Sequence, residues 1–230
     1  MTTSSLVQPE SCLIESPSAV PWGAAEVVYM DPPWEYRMWG RDIGRRSAAS
    51  HYPVLTVAEM CKLPINRVMA RNSALFMWAT YPNLQEAMQL GHAWGLTYKT
   101  VAFTWVKTTV HGKKHVGMGK WTRANPEIVL LFVKGKPRRA SARVRNLIEA
   151  PIGRHSAKPR EVYDRIQQLM EGDDWREKPQ ELLYLEIFAR NYHPGWYSMG
   201  LDLPEKGMGK DIRDVLVAPH TREFSEGKGT

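Results

Sequence analysis

Cysteine, long apolar runs and early basic residues are scarce in this sequence. Its 230 residues include two cysteines, Cys12 and Cys61, which argues against a disulfide framework or a zinc site. No apolar run approaches the roughly 18 residues of a membrane span. The first Lys or Arg is Arg37, so the N-terminus lacks the basic start of a signal peptide. We therefore expect a cytoplasmic, intracellular protein with free thiols and no membrane segment.

Two further kinds of site lack support. The sequence GMGK occurs at residues 117–120 and 207–210, but neither copy has the glycine spacing and following Ser or Thr of a phosphate-binding P-loop. The histidines do not follow metal-ligand spacing. We predict no bound metal.

The charge of the chain is concentrated in one segment. The net charge is +7, and residues 107–160 contain fourteen Lys or Arg against two acids, Glu127 and Glu149. That segment carries +12, so the rest of the chain carries −5. Such asymmetry is typical of a surface that meets phosphates, although a solvated basic face without a partner also fits.

Apolar strands alternate with amphipathic helices along the chain, which predicts an α/β sheet covered on both faces. We expect a flexible arm over residues 1–20, one domain over 21–204 and a polar tail over 205–230. A capping box predicts a helix after Thr56, and further helices are expected from Asn83 and from Ser156, with Pro159 inside the first turn. The predicted strands are Glu26–Met30, Ala74–Ala79, Tyr98–Val106, Ile128–Val133 and Leu182–Phe188.

The sequence Asp31-Pro32-Pro33-Trp34 directly follows the first predicted strand. Ligands of open α/β sheets bind at the carboxyl ends of the strands, which is where Asp31 falls. The prolines fix two φ angles, the Asp31 carboxylate and the Pro32 carbonyl accept hydrogen bonds, and Trp34 offers a face for stacking. The motif suits a planar group bearing an NH2, such as adenine, although an ordinary turn also fits.

The same two acceptors would explain reactivity. The lone pair of an adenine amino group is delocalised into the ring, and acceptors placed off the ring plane would free it to attack an electrophile. The stabilisation would be gained as the transition state forms. A base paired within a duplex cannot reach such a turn, so the target must be single-stranded or flipped out.

This motif and the segments after it resemble the MT-A70 family of S-adenosylmethionine-dependent adenine N6-methyltransferases. The resemblance spans roughly residues 24–203. The matching segments, in family order, are HYPVLTVAEM, LFMWATYPNLQEAMQLGHAWGLTYKTVAFTWVKT, NPEIVLLFVKGKP, HSAKPREVYDRI and LEIFARNYHPGW. Several ordered motifs together are far more specific than any one.

The resemblance implies a fold, a cofactor and a set of site residues. The implied fold is a Rossmann-like class I methyltransferase sheet, mostly parallel, with helices on both faces and the motifs in permuted (beta-class) order. The implied cofactor is S-adenosylmethionine. The implied catalytic residues are Asp31, Pro32, Pro33 and Trp34, and the implied cofactor-binding residues are Asp31, Lys158, Phe188, Arg190, Asn191 and Asp202.

Two of these cofactor residues differ in support. Lys158 lies at the start of a predicted helix, where the helix dipole disfavours a cation, so an anionic ligand is expected beside it. Many relatives carry an Asn-containing pair at the position of Asp202. Asp202 could take a ribose hydroxyl, and a solvated surface side chain explains it equally well.

Substrate-binding residues are expected in two basic stretches. The segment over residues 35–50 carries Trp39, Arg45 and Arg46 and reads either as a lid over the flipped base or as a disordered basic loop. Tyr52 matches a gate tyrosine of the family. Arg138 and Arg139 lie in an acid-free stretch, for which we predict a loop that contacts phosphates.

The predicted activity is methylation of adenine N6 in DNA. DNA is favoured because the chain is short and has no added RNA-binding module. The same chemistry on RNA is the near alternative, and an inactive nucleic-acid-binding subunit is another. Methylation of a protein amide is disfavoured, since glutamine methyltransferases have Asn before the Pro-Pro pair and Tyr after it. The sequence leaves open the target sequence and a homodimer or partner subunit.

Overall fold

A seven-stranded sheet forms the centre of the protein. The computed structural model describes residues 22–34, 55–153 and 157–200. The predicted arm over residues 1–20 and tail over 205–230 lie outside the described residues, so that division of the chain stays a prediction. The strands are β1 Ala25–Met30, β2 Met69–Ala79, β3 Thr97–Thr108, β4 Glu127–Lys134, β5 Leu147–Pro151, β6 Tyr184–Ile187 and β7 Trp196–Met199.

The strands lie in the order β5-β3-β4-β2-β1-β6-β7. β4 is antiparallel to both of its neighbours, β2 and β3. The pairs β1–β2, β1–β6, β3–β5 and β6–β7 are parallel. This topology confirms the prediction of a mostly parallel sheet, and it brings the carboxyl ends of six strands to one edge.

Helices cover both faces of the sheet, as predicted. The helices are α1 Val57–Cys61, α2 Ile65–Val68, α3 Leu84–Ala93 and α4 Glu161–Glu171, with a short 3-10 turn over Tyr81–Asn83. One buried apolar cluster joins the sheet to the first three helices and includes Met60, Ile65 and Leu90. The other joins the opposite face to α4 through Val162 and Ile166.

Local sequence explains how two of these helices form and pack. The Thr56 hydroxyl accepts the backbone N–H of Glu59, and the Glu59 carboxylate accepts the N–H of Thr56, which confirms the capping box at α1. In α3, Gly91 lies against Phe132 of β4, where an added Cβ would come within 2.2 Å of the ring. Glycine there lets the helix approach the sheet closely.

Several details differ from the sequence predictions. β2 begins at Met69, before the predicted Ala74, and the short helix α2 was not predicted. α4 begins at Glu161 with no side-chain cap, so the helix starts later than predicted and Pro159 precedes it, while Ser156 lies outside the described residues. β6 ends at Ile187, one residue short of the prediction, because Phe188 has a φ of 64° and leaves the extended conformation. The strands β5 and β7 were not predicted, since five and four residues give little periodicity to read.

Within the described residues, no helix combines the length and apolar character needed to cross a membrane. The same residues contain no group of three or more His, Cys, Asp or Glu side chains arranged to hold a metal. Cys61 is a free, partly buried thiol, and Cys12 lies outside the described residues.

Candidate active site

Asp31 lies at the carboxyl edge of the sheet, directly after β1. The preceding residue, Met30, pairs with Met77 of β2 on one side and Ile187 of β6 on the other. Because all three strands are parallel, the residues that follow them meet at the same edge. The Asp-Pro-Pro-Trp motif therefore lies at the carboxyl end of its strand, as the sequence predicted, and between the ends of β2 and β6.

Lys158 bridges two carboxylates at this edge. Its Nζ lies 3.2 Å from Oδ2 of Asp31 and 2.9 Å from Oε2 of Glu127. The other oxygen of Glu127, Oε1, lies 2.6 Å from Nζ of Lys107. The four side chains form a row of alternating charge, Asp31-Lys158-Glu127-Lys107, which we call the ionic row. Its balanced charges allow ionised groups to persist in a largely buried place.

The ionic row sets the pKa values of its members. Burial raises the pKa of Asp31 above its usual range, and the nearby positive charge of Lys158 offsets only part of this effect. For Glu127, burial also acts to raise the pKa, but Lys158 and Lys107 outweigh it and the pKa is lowered. Burial acts to lower the pKa of Lys158, yet Asp31 and Glu127 raise it overall. Lys158 is therefore a fixed cation.

Trp78, at the end of β2, supports the site through three contacts. Its ring lies below the Lys158 ammonium, with Nζ 5.3 Å from the ring centroid. Its backbone oxygen accepts a hydrogen bond from Nε1 of Trp34 at 3.3 Å. Its own Nε1 donates to the hydroxyl of Tyr29 at 2.6 Å. One buried residue thus holds both the lysine and the last residue of the motif.

The Trp34 side chain differs from the sequence prediction of an open stacking face. It is 8% exposed and belongs to the apolar cluster under the sheet edge. The hydrogen bond to Trp78 uses its only donor. The ring is buried because an indole can satisfy both its apolar body and its N–H at this position. In this structure Trp34 anchors the turn instead of presenting an exposed face.

The Pro32 carbonyl already accepts one hydrogen bond within the turn. It accepts the backbone N–H of Trp34 at 2.8 Å, which closes a tight turn over the second proline. A carbonyl has two lone pairs, so one remains for another donor. Asp31 likewise faces Lys158 with Oδ2. The turn therefore offers fewer acceptors than the sequence suggested, but it holds them in fixed positions.

A second acidic group lies beside the motif at Glu186, in the middle of β6. Its Oε1 accepts the hydroxyl of Tyr163 at 2.9 Å, while its Oε2 is buried without a hydrogen-bond partner in the structure. Burial raises the pKa of Glu186 to about 7, with a further contribution from the charge of Asp31. Tyr163 in turn stacks on His193, with ring centroids 4.1 Å apart.

The loop after β6 carries three predicted cofactor residues. Phe188 is half-buried with a φ of 64°, an unusual value for a residue with a side chain. Arg190 is near enough to Asp31 for its positive charge to lower the pKa of that carboxyl, and Asn191 is exposed. Gly200 lies so close to this loop that a Cβ would come within 1.9 Å of the Ala189 oxygen. The fold thus fixes the loop beside Asp31.

Other predicted residues are placed elsewhere or not described. Tyr52, Trp39, Arg45, Arg46 and Asp202 lie outside the described residues, so their roles stay predictions. Arg138 and Arg139 are exposed in a loop, as expected, but β4 runs away from the site before that loop begins. Its last residue, Lys134, pairs with Ser73 near the start of β2 and donates to the carbonyl of Met69. The structure therefore places these arginines at the edge opposite Asp31.

Glu127, Lys107 and Glu186 lie at the site but were not predicted from the sequence. Two features of the sequence pointed to the glutamates. Glu127 is one of only two acids in the basic segment and opens a buried strand. Glu186 is the one charged residue in the apolar strand YLEI. A charge in such a place needs partners or a function.

A family model and several known proteins match this chain. The family model described as MT-A70 matches residues 25–202. The chain is 36% identical over 197 residues to the Type II methyltransferase M.MunI of Mycoplasma sp, a match that covers 78% of each protein.

Two other relatives are longer proteins. The chain is 28% identical to the N6-methyladenosine RNA methyltransferase MTA1 of Cryphonectria parasitica, where the match covers 76% of this chain and 50% of that protein. It is 27% identical to an N(6)-adenosine-methyltransferase MT-A70-like protein of Arabidopsis thaliana, over 79% of this chain and 24% of that protein. From the family match over most of its length, the chain belongs to the MT-A70 family of methyltransferases.

Proposed function

We propose that this protein transfers a methyl group from S-adenosylmethionine to the N6 amino group of adenine in DNA, with the target base single-stranded or flipped out. The observation that carries the proposal is the Asp31–Lys158 contact of 3.2 Å at the carboxyl edge of the sheet. It holds a carboxylate in a fixed orientation where α/β folds bind ligands. Family membership supplies the reaction class.

The turn would act on the amino group through two acceptors. One is the Asp31 carboxylate, and the other is the remaining lone pair of the Pro32 carbonyl. Hydrogen bonds from the amino group to both would draw its lone pair out of the ring. The amino group must also lose a proton once the new N–C bond forms. Burial raises the pKa of Asp31, which makes this carboxylate a better acceptor for that proton than a solvated one.

The charges around the turn fit S-adenosylmethionine, which has a carboxylate, an amino group and a ribose. The cation of Arg190 suits the carboxylate, and Asn191 offers both donors and acceptors. The buried, unpartnered Oε2 of Glu186 and hydroxyl of Ser198 are further polar groups of β6 and β7, beside this loop. When bound, S-adenosylmethionine supplies an electrophilic methyl group. We assign its binding to Asp31, Lys158, Phe188, Arg190, Asn191 and Asp202.

Lys158 has a narrower role in this proposal than the resemblance implied. Both of its neighbouring carboxylates already belong to the protein. Its main effect would be to orient Asp31, and any contact with the cofactor would use the third N–H of the ammonium.

The choice of DNA over RNA is supported by the relatives. The relative that matches over 78% of both chains is named a Type II methyltransferase, and its name does not mention RNA. Relatives named for RNA or adenosine methylation match at lower identity and over half of their length or less. Those names make RNA the second candidate substrate.

The test measures transfer of labelled methyl groups to matched DNA and RNA oligonucleotides that contain adenine. We expect label in DNA N6-methyladenine, and label in RNA alone would contradict the choice of DNA. Asp31→Ala is expected to abolish transfer while nucleic-acid affinity stays within a few fold. Asp31→Asn is the matched control, because it keeps the shape and removes the charge. Turnover by Asp31→Ala would contradict the catalytic role.

The proposal also includes a permuted motif order and an active enzyme. The permuted motif order is supported by the position of the catalytic turn after β1 and of the proposed cofactor loop after β6, late in the chain. An inactive binding subunit is disfavoured by the intact Asp-Pro-Pro-Trp turn and its ionic row. Absence of transfer to any oligonucleotide, with binding retained, would favour that alternative.

A further inference from the structure

An exposed basic arm projects from the sheet edge next to the site. We define the arm as residues 109–126, which connect β3 to β4. It contains no Asp or Glu. Its four cations, Lys113, Lys114, Lys120 and Arg123, are all exposed. Lys114 pairs with Glu149 of β5, whereas the other three have no ion pair among the described residues.

The arm is an ordered element. The side chain of Asn125 accepts the backbone N–H of Lys107 at 3.0 Å and donates to the carbonyl of the same residue at 2.9 Å. The N–H of His115 also donates to the Lys107 carbonyl. Further out, Gly117 and Ala124 form an isolated antiparallel bridge. These bonds give the arm a hairpin-like shape with a defined tip.

The tip presents large apolar side chains to solvent. Trp121 is 93% exposed, the highest value among the large hydrophobic residues described. The tip itself is tight, since a Cβ on Gly119 would come within 2.0 Å of the Thr122 oxygen. Val110, Val116 and Met118 are also largely exposed in the same arm. An ordered element that holds an indole in water indicates a binding surface.

The base of the arm is part of the ionic row. Lys107 precedes the arm and Glu127 follows it, and their side chains are joined at 2.6 Å. Glu127 contacts Lys158, which contacts Asp31. A ligand that enters the site from this side therefore passes the arm.

We propose that Trp121 stacks on a base of the nucleic-acid strand next to the target adenine, while Lys113, Lys120 and Arg123 contact its phosphates. This inference rests on the proposed function, because it takes the substrate to be a nucleic acid. Aromatic stacking together with unpaired cations is the usual chemistry of single-strand binding. Such contacts give affinity and position and do not read the sequence.

Charge favours nucleic acid over a second copy of this chain as the occupant. A two-fold interface that buried the tip would bring two acid-free arms together, and their like charges would repel. A polyanion meets no such cost. The flat indole of Trp121 can also stack on the exposed face of a base in a single strand, whereas the branched side chains of Val110 and Val116 cannot.

The experiment measures the dissociation constant of a fluorescent single-stranded oligonucleotide at fixed salt, in parallel with KM and kcat. Trp121→Ala is expected to weaken binding about ten-fold and to raise KM with kcat little changed. Trp121→Phe, which keeps an aromatic face, should stay within about three-fold of the original protein. Trp121→Leu is apolar without a π face and should resemble Trp121→Ala. Met118→Ala is the matched control in the same arm, expected within about two-fold.

The results separate this inference from the proposed function. Unchanged binding by Trp121→Ala would overturn it, and so would equal binding by Trp121→Leu and Trp121→Phe. Sedimentation of each variant tests the other occupant: a dimer that Trp121→Ala dissociates would show a protein interface instead. If the original protein binds the strand through Trp121 but transfers no methyl group, the inference stands and the proposed function fails. No binding of DNA or RNA strands by the original protein would overturn both.

Discussion

Nζ of Lys158 lies 3.2 Å from Oδ2 of Asp31, and this contact connects the Asp-Pro-Pro-Trp turn to the rest of the sheet edge. Lys158 comes shortly before the start of α4, and its ammonium lies over the ring of Trp78. Since it also contacts Glu127, a change at any of these residues should reach Asp31. The predictions for Lys158 follow from this arrangement.

Lys158→Met should lower both activity and stability. The apolar side chain keeps much of the volume but removes the cation that lies between Asp31 and Glu127, so that Glu127 keeps only its contact with Lys107. Breaking a buried ion pair from one side costs about 3 to 5 kcal/mol, and because the side chains here are 11% to 21% exposed, we expect a loss nearer 2 kcal/mol in the free energy of unfolding. Urea unfolding measures this loss.

The same variant should shift the pH dependence of activity. In the original protein, burial raises the pKa of Asp31 and Lys158 lowers it in part. Removal of the cation leaves the first effect, so the pKa rises further. Since the ionised carboxylate is the active form, the acid limb of kcat/KM should move to higher pH. Adding Glu127→Gln should return part of the stability, and an unmoved acid limb would contradict the assigned role.

Glu186→Gln should change how stability depends on pH. Burial raises the pKa of Glu186 from 4.5 to about 7 in the folded protein. Between those pH values the folded state retains a proton that the unfolded chain has released, so its stabilising contribution is complete below 4.5 and is lost as pH rises through 7. The glutamine variant lacks this loss. It should gain stability relative to the original protein by about 3 kcal/mol between pH 4.5 and pH 8, because the rise in pKa from 4.5 to about 7 corresponds to about 1.4 kcal/mol per unit.

Tyr163→Phe is the matched control for that comparison. The tyrosine hydroxyl donates to Glu186 and lowers its pKa, so its removal should move the pH window upward. His193 stacks on residue 163 and is present in all three proteins, so differences between the unfolding curves report on Glu186. Parallel curves for the original protein and Glu186→Gln would show that this carboxyl does not titrate in the window.

The sheet and the position of the Asp-Pro-Pro-Trp turn could be predicted from the sequence because both depend on local patterns. Val27–Met30 is apolar on both faces, which is typical of a central parallel strand, and Asp31 ends that pattern abruptly. The family motifs then supplied the reaction class. The burial of the Trp34 ring could not be predicted from local patterns, because it depends on the carbonyl of Trp78, which lies 44 residues away in the sequence.

Long-range pairing also explains the missed members of the site. Lys107, Glu127 and Lys158 meet only because β4 is antiparallel and starts at the edge where β3 ends. The same strand direction moved Arg138 and Arg139 to the far edge, although their composition alone suggested a contact with the substrate. Composition predicts that a segment is basic, whereas topology decides which edge of the sheet it reaches.

Gly91→Ala should destabilise the protein although alanine favours helices. The new Cβ would lie 2.2 Å from the Phe132 ring, so either α3 or the ring must move. Overpacking of this kind costs about 1 to 3 kcal/mol, which urea unfolding detects. Phe132→Leu alone should also destabilise, but the double variant should lose less than the sum of the two. Additive losses would show that the close approach is not the cause.

Replacing both Arg138 and Arg139 with Gln should change substrate binding by less than about two-fold. They follow the far end of β4, and that strand of eight residues spans roughly 24 Å at about 3.4 Å per residue. A screened charge at that distance has little effect at physiological salt, where the Debye length is about 8 Å.

The matched pair is Lys113→Gln with Lys120→Gln in the basic arm, which should weaken binding several-fold and reduce its salt dependence. The comparison uses one oligonucleotide at several salt concentrations. A larger loss of affinity for the arginine pair would mean that the nucleic-acid strand extends around the protein to the opposite edge of the sheet. The sequence-based prediction of phosphate contacts by Arg138 and Arg139 requires such a path.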